Sequence, residues 1–293
     1  MLLSGTASLA STSTDKSPTV HKSAQTRSLP WVSGPCQDAR LPLISGGWAI
    51  GCRGSATPNR AQHVVTQEKI NLEAPGKIWG VGAGRIVDLS NRKSWSIPNE
   101  PANIRPISSQ PHAPIATDGK HMLISSVEKL EWMKIGSKTR TTIPNAKPLP
   151  WYPPSISEAT TAWVEWHPDT GEDVWTYTLH NSTAKPLAQS KANERHVVVD
   201  GKWIAWLTDH AVFLKNQETG DTQTFSGRVH SNERLSLSNG IVCWEAHTKE
   251  DIDIFCSDGL HLKRKDDQRR PSRWMDWLLF HEGENTLLYG PIE

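Results

Sequence analysis

The chain has 293 residues, room for one large domain or two small ones, and 32 Lys+Arg against 31 Asp+Glu leave a formal charge of +1. That balance gives no global field for nucleic acid or an anionic membrane, and at a mean hydropathy of -0.52 no apolar run approaches the ~18 residues of a spanning helix. Hydrophobic residues are only 36%, but 14 Trp supply large buried areas while 20 Gly and 20 Pro supply turns, a mixture that favours many short strands.

Residues 1–25 read as a leader. Met1 to Lys22 is rich in Ser, Thr and Ala, and Ser8-Leu9-Ala10 matches a small-x-Ala cleavage site. The stretch is either disordered or the remnant of a secretory signal peptide whose basic start is missing. Residues 26–293 read as a single domain. Its four cysteines form two close couples, Cys36 with Cys52 and Cys243 with Cys256, and no C-x-x-C is present. This argues against structural zinc and thioredoxin-like redox chemistry. Disulfides within each couple fit an oxidising compartment, and buried free thiols are the alternative. A hairpin centred between Lys249 and Glu250 would put Cys243 opposite Cys256.

Along the chain the first candidate strand is Arg27 to Val32. A weak repeat copy, Gly46 to Cys52, follows, and then Arg53 to Lys77 forms a long excursion or a distorted strand pair. Gly80-Val81-Gly82-Ala83-Gly84 reads as a turn running into a strand at Arg85, so no helix N-terminus awaits a phosphate. From there a repeat of about 36 to 42 residues is the main signal. A polar or Gly-containing turn leads into an apolar run at Thr117–Ile124, Glu158–Trp166, Val199–Trp206 and Ser238–Trp244, and a further run is Trp277–Phe280. Trp166 to Trp206 is 40 positions and Trp206 to Trp244 is 38, so Trp163, Trp166, Trp203, Trp206 and Trp244 are expected to pack between repeats.

Alternating runs follow most copies, as in Glu172–Leu179, Ala211–Lys215 and Asp251–Cys256, with short runs before them at Ala113, Pro154, His196 and Arg234. Period-two alternation with Thr-Gly and Asp-Gly turns argues hairpins. Each repeat thus offers four strands, and four-stranded antiparallel units of this length arranged radially make an all-β propeller. Counting the apolar runs gives six blades, or five if Arg53 to Lys77 builds none. The last repeat lacks one strand, and the N-terminal run is expected to complete it and close the ring.

The stretch Ala162-Trp163-Val164-Glu165-Trp166-His167-Pro168-Asp169-Thr170-Gly171-Glu172-Asp173-Val174-Trp175-Thr176-Tyr177 resembles the repeat of TolB-like six-bladed propellers, and Asp251-Ile252-Asp253-Ile254-Phe255 repeats its second half. The resemblance covers residues 112 to 290 well and 36 to 111 poorly. It implies a periplasmic or extracellular binding scaffold that contacts envelope proteins.

For chemistry, there is no G-x-S-x-G elbow, no His-Glu-x-x-His and no Walker loop. Lys263 to Arg273 is basic but interrupted by Asp266 and Asp267, and reads as a solvated outer strand and turn rather than a nucleic-acid site. Loops of all blades meet where inner strands begin. His112, Arg195, Arg234 and Arg273 occupy or adjoin such positions and are the candidate binding residues of an axial mouth suited to an anionic group. Trp151 and Tyr152, flanked by prolines, are the exposed aromatic candidates. The expectation is a non-catalytic, exported, monomeric propeller that binds a protein or glycan of the envelope or exterior, with no cofactor and no nucleic-acid partner. The alternative is a metal-assisted polysaccharide lyase or hydrolase whose histidines converge on the axis.

Overall fold

The computed structural model describes residues 25–30, 43–52, 58–72, 79–88, 93–97, 102–103, 115–126, 128–179, 183–227, 229, 234–249, 251–283 and 285–292. The leader, His112 and Cys36 lie outside them. Among the described residues every regular element is a strand, and the strands form seven four-stranded antiparallel sheets.

Gln25–Ser28 (β1) comes first in the chain and belongs to the last sheet. Sheet 1 is Leu43–Ser45 (β2), Trp48–Gly51 (β3), Arg60–His63 (β4) and Lys69–Asn71 (β5). Sheet 2 is Trp79–Gly82 (β6), Arg85–Asp88 (β7), Lys93–Ser96 (β8) and Ala102–Asn103 (β9). Sheet 3 comprises Ile115–Thr117 (β10), His121–Ser125 (β11), Leu130–Lys134 (β12) and Thr141–Thr142 (β13). Sheet 4 comprises Ser155–Ser157 (β14), Thr160–His167 (β15), Gly171–Thr178 (β16) and Lys185–Ala188 (β17). Sheet 5 runs through Arg195–Asp200 (β18), Trp203–Leu207 (β19), Ala211–Asn216 (β20) and Thr222–Ser226 (β21). Sheet 6 has Ser236–Ser238 (β22), Ile241–His247 (β23), Ile252–Cys256 (β24) and His261–Leu262 (β25). Sheet 7 has Gln268–Trp274 (β26), Trp277–Glu282 (β27) and Asn285–Gly290 (β28), with β1 as its outermost strand.

The inner strands β2, β6, β10, β14, β18, β22 and β26 stand around one axis, and no ladder joins one of them to the next. Several N–H groups of these strands and of the turns that follow them are met instead by side chains of the preceding sheet. Val199 and Gly201 donate to Ser155 Oγ (3.0 Å) and Ser157 Oγ (2.9 Å), and Asn239 donates to Asp200 Oδ2 (2.6 Å). Arg273 and Met275 donate to Ser236 Oγ (2.6 Å) and Ser238 Oγ (3.1 Å), Ile44 to Ser272 Oγ (2.8 Å), and Gly84 to Ser45 Oγ (2.8 Å). All these bonds point the same way round the ring. Apolar clusters fill the wedges between consecutive sheets, for example Ala162, Val164 and Val174 of sheet 4 against Val197, Ile204 and Trp206 of sheet 5.

The four-stranded antiparallel propeller is as the sequence implies, and each of the six apolar runs has its own sheet. The count of sheets is nonetheless seven, because β6–β9 build a further one. Its second strand, β7, ends in Asp88 with no Trp to mark it. Gly82, at the end of β6, lets sheets 2 and 3 approach closely, since a Cβ there would collide with the Thr117 carbonyl of sheet 3. Arg53 to Lys77 contains a strand pair, β4 and β5. The closing strand begins two residues before the expected Arg27 and pairs Gln25 with Gly290 and Ser28 with Leu287.

Cys243 faces Cys256 across β23 and β24, and the two form a disulfide. Cys52 is also disulfide-bonded, and its expected partner lies outside the described residues. The basic segment is only partly an outer turn: Lys263, Arg264 and Lys265 are exposed, whereas Arg269, Arg270 and Arg273 lie on the inner strand β26.

The tryptophan alignment shifts by three residues. Ser157, Asp200 and Ser238 occupy the same place before their turns, which aligns Trp163, Trp206 and Trp244. Each of these stands across from an aromatic: Trp175, Phe213 and Phe255. Trp166 lies three residues beyond Trp163 and so on the other face of the strand, opposite Glu172, and is 64% exposed rather than packed.

Candidate functional site

Strand direction defines two faces. Inner strands begin at an entry face, where the turns between second and third strands also lie, and end at an exit face. Between the faces runs an open cavity of about 800 Å³ whose lining comes from all seven inner strands. Hydroxyls of Ser155, Ser157, Ser236, Ser238 and Ser272 belong to this wall, the same groups that tie neighbouring sheets together. Pro153, His196 and Arg234 mark the entry end, and Asp118, Glu158 and Asp200 mark the exit end.

The expected site residues take different places. Arg234 lines the cavity at its entry. Arg195, one residue before the lining, is turned outward to a polar row on the entry rim. Its Nε bonds Glu172 Oε2 and its Nη1 bonds Asp209 Oδ1 at 2.9 Å. The Tyr152 hydroxyl donates to the same Glu172 carboxylate, with 3.2 Å to Oε1. Burial and the Glu172 charge push the Tyr152 phenol up to about 12. These partners raise the Arg195 guanidinium above its ordinary value although burial opposes them.

Arg273 is a post between sheets rather than an open cation. Its guanidinium side chain is 2% exposed and pairs with Asp258 at 2.8 Å, and its Nε donates to the Met275 carbonyl. The basic ring expected at the mouth is therefore divided among three settings, because Arg195 and Arg273 each find a carboxylate of a neighbouring hairpin.

Trp151 and Tyr152 are brought together with the mouth. Trp151 is 62% exposed and meets Tyr152 edge-on at 6.3 Å, and Tyr152 meets His196 at 4.9 Å. His196 is aimed by a register shift between Arg195 and Val198 and has a φ of 50°, the left-handed region. Sequence reasoning missed Trp166, Glu172 and Asp209. The readable signal was that Trp166 faces a carboxylate where the packed indoles face aromatics. Among the described residues, no group of three or more His, Cys, Asp or Glu side chains is placed to hold a metal ion.

No family model matches the chain, and no curated protein matches it. Among solved structures, it is similar to a chain described in a structural and mechanistic analysis of two prolyl endopeptidases, at 11% identity and a TM-score of 0.56, over 82% of this chain and 45% of that one. It is also similar to TolB from Acinetobacter baumannii, at 12% identity and a TM-score of 0.48, over 80% of this chain and 59% of that one. A chain of a nidogen/laminin complex aligns at 14% identity and a TM-score of 0.48, over 75% of this chain and 90% of that one. The chain thus spans less than two thirds of the TolB and prolyl endopeptidase chains, and at these identities the likeness is one of fold alone.

Proposed function

We propose that this chain is a non-catalytic, exported propeller scaffold that binds a protein or glycan partner of the envelope or exterior across its entry face. The observation that carries the reading is the open axial cavity, lined by all seven inner strands, whose entry end joins Arg234 and His196 to the exposed Trp151–Tyr152 pair. An aromatic surface beside fixed polar groups suits a partner that presents both apolar and hydrogen-bonding atoms. The Cys243–Cys256 disulfide supports a periplasmic or extracellular setting, since such bonds persist in oxidising compartments.

The test compares the two faces. Immobilised chain is challenged with an envelope extract and with defined glycans, and the partner retained is titrated against variants. Arg234→Glu and Trp151→Ala, on the entry face, should weaken retention about tenfold or more. Val65→Glu and Met275→Glu, at exposed positions in exit-face turns, should leave it unchanged. Loss in the exit-face variants with retention in the entry-face ones overturns the proposal.

A further inference from the structure

We infer that the entry rim of sheet 4 is a subsite for a neutral pyranose ring, stacked on the exposed indoles of Trp151 and Trp166 and held through its hydroxyls by Glu172, Arg195 and Asp209. This names the ligand class of the entry face and so rests on the scaffold reading for its setting.

The first argument is the position of Trp166. It lies outside the repeat's packing register, on a strand that extends past the wedge core. Cross-strand partners share one face of a sheet with Cβ atoms about 5 Å apart. Trp166 therefore stands directly beside Glu172, whose carboxylate binds Tyr152 and Arg195. Tyr152 in turn meets Trp151 edge-on. One open indole thus adjoins the Glu172 position of a continuous polar row, and the other adjoins its Tyr152 end.

The second argument is the chemistry of that row. Asp209, Arg195, Glu172 and Tyr152 alternate acceptor and donor along a line of direct bonds. The guanidinium has N–H groups beyond the two it uses here, and each carboxylate oxygen can accept more than one bond. Vicinal hydroxyls, each both donor and acceptor, match such an alternation, and the C–H face of a sugar ring matches an indole face. Two carboxylates share one guanidinium, so an acidic sugar or a phosphate is disfavoured. Trp151 and Tyr152 meet edge-on at 68°, which leaves one open stacking face instead of the walls of a cage for a cation.

The test uses the full oxidised chain and a panel of soluble probes: cello-, manno- and chito-hexaose as neutral oligosaccharides, hexagalacturonate as an acidic one, and tetramethylammonium as a cation. Calorimetry gives affinity, and saturation-transfer NMR shows which sugar protons touch the protein. At least one neutral hexaose should bind, with transfer concentrated on the C–H protons of one ring face. Trp151→Ala and Trp166→Ala should each weaken it about tenfold, and Trp166→Phe should restore part of the loss. Both indoles are exposed, so a thermal melt of the same variants should be unchanged. Absence of binding by every neutral hexaose at millimolar concentration overturns the subsite, as does binding that survives both Trp variants or a preference for the acidic or cationic probe. If a protein partner is still lost on Arg234→Glu while no sugar binds, the subsite falls and the scaffold reading stands.

Discussion

Glu158 and Ala159 carry positive φ angles of 47° and 68° in the turn between β14 and β15, while the matching turn of sheet 6 uses Asn239 and Gly240 at 49° and 75°. L-residues with a Cβ disfavour this region by roughly 1–2 kcal/mol each, and Asn-Gly is the pair such hairpin turns select. Replacing Glu158 with Asn and Ala159 with Gly should therefore stabilise the chain by about 1–2 kcal/mol in urea unfolding. Tyr152 offers a second test at this scale. Its phenol ionises at about 12 in the folded chain against an ordinary 10.0, so the folded state holds the proton more tightly and its contribution to stability is lost as pH rises through that window. With only three tyrosines in the chain, phenolate absorbance can follow it, and Glu172→Gln should lower its midpoint by removing the second of the two causes. Legibility at this scale was uneven. Trp163, Trp206 and Trp244 were readable as packing residues, but the long β15 carries an extra Trp that the 40-residue spacing matched by coincidence. Arg195 begins its inner strand, as its position in the repeat implied, whereas Arg273 is the sixth residue of β26, beside the exit-face turn rather than at the expected mouth. Sequence alone does not show that Glu172 and Asp258 would engage them.

At the scale of elements, the inner strands depend on side chains where ordinary sheets depend on a ladder. Ser157→Ala or Ser238→Ala leaves the Gly201 or Met275 N–H without its acceptor, and each should destabilise by about 1–3 kcal/mol in urea unfolding. A change of that size at Ser157 but none at an exposed serine such as Ser226 would tie the effect to the ring. The Ser-x-Ser spacing was present in the sequence at 155/157 and 236/238, but its meaning requires knowing that inner strands of neighbouring sheets run side by side. The hairpin register was more accessible: alternation and a polar turn put Cys243 opposite Cys256, as found. Sheet 2 was hidden for the opposite reason. Its strands are four residues or shorter and the second of them does not end in Trp, so Gly80 to Gly84 read as a turn when its first part is a strand.

For the whole molecule, closure rests on four residues near the N-terminus. β1 pairs along β28, Leu29 is buried behind it, and Arg27 lies over the Trp277 ring at 5.0 Å. Removing residues 1–29 should lower the melting temperature by about 5 °C or more, since burying one Leu contributes about 1.5–3 kcal/mol before the strand pairing is counted. The bared edge of β28 should also promote self-association, visible by light scattering.

The same pairing has a consequence for how the molecule can be held. Gln25 and Gly290 are register partners at the exit-face end of sheet 7, so the chain arrives and departs at one point on the side opposite Trp151 and Trp166. A tether attached directly before Gln25 or directly after Gly290 therefore leaves the aromatic rim facing away from the surface that bears it. Immobilisation of residues 25–290 through either of these points should present the same side to a flowing ligand and give equal binding capacity. A short linker from Gly290 to Gln25 would make a circular form of residues 25–290 that can be reopened at an entry-face turn.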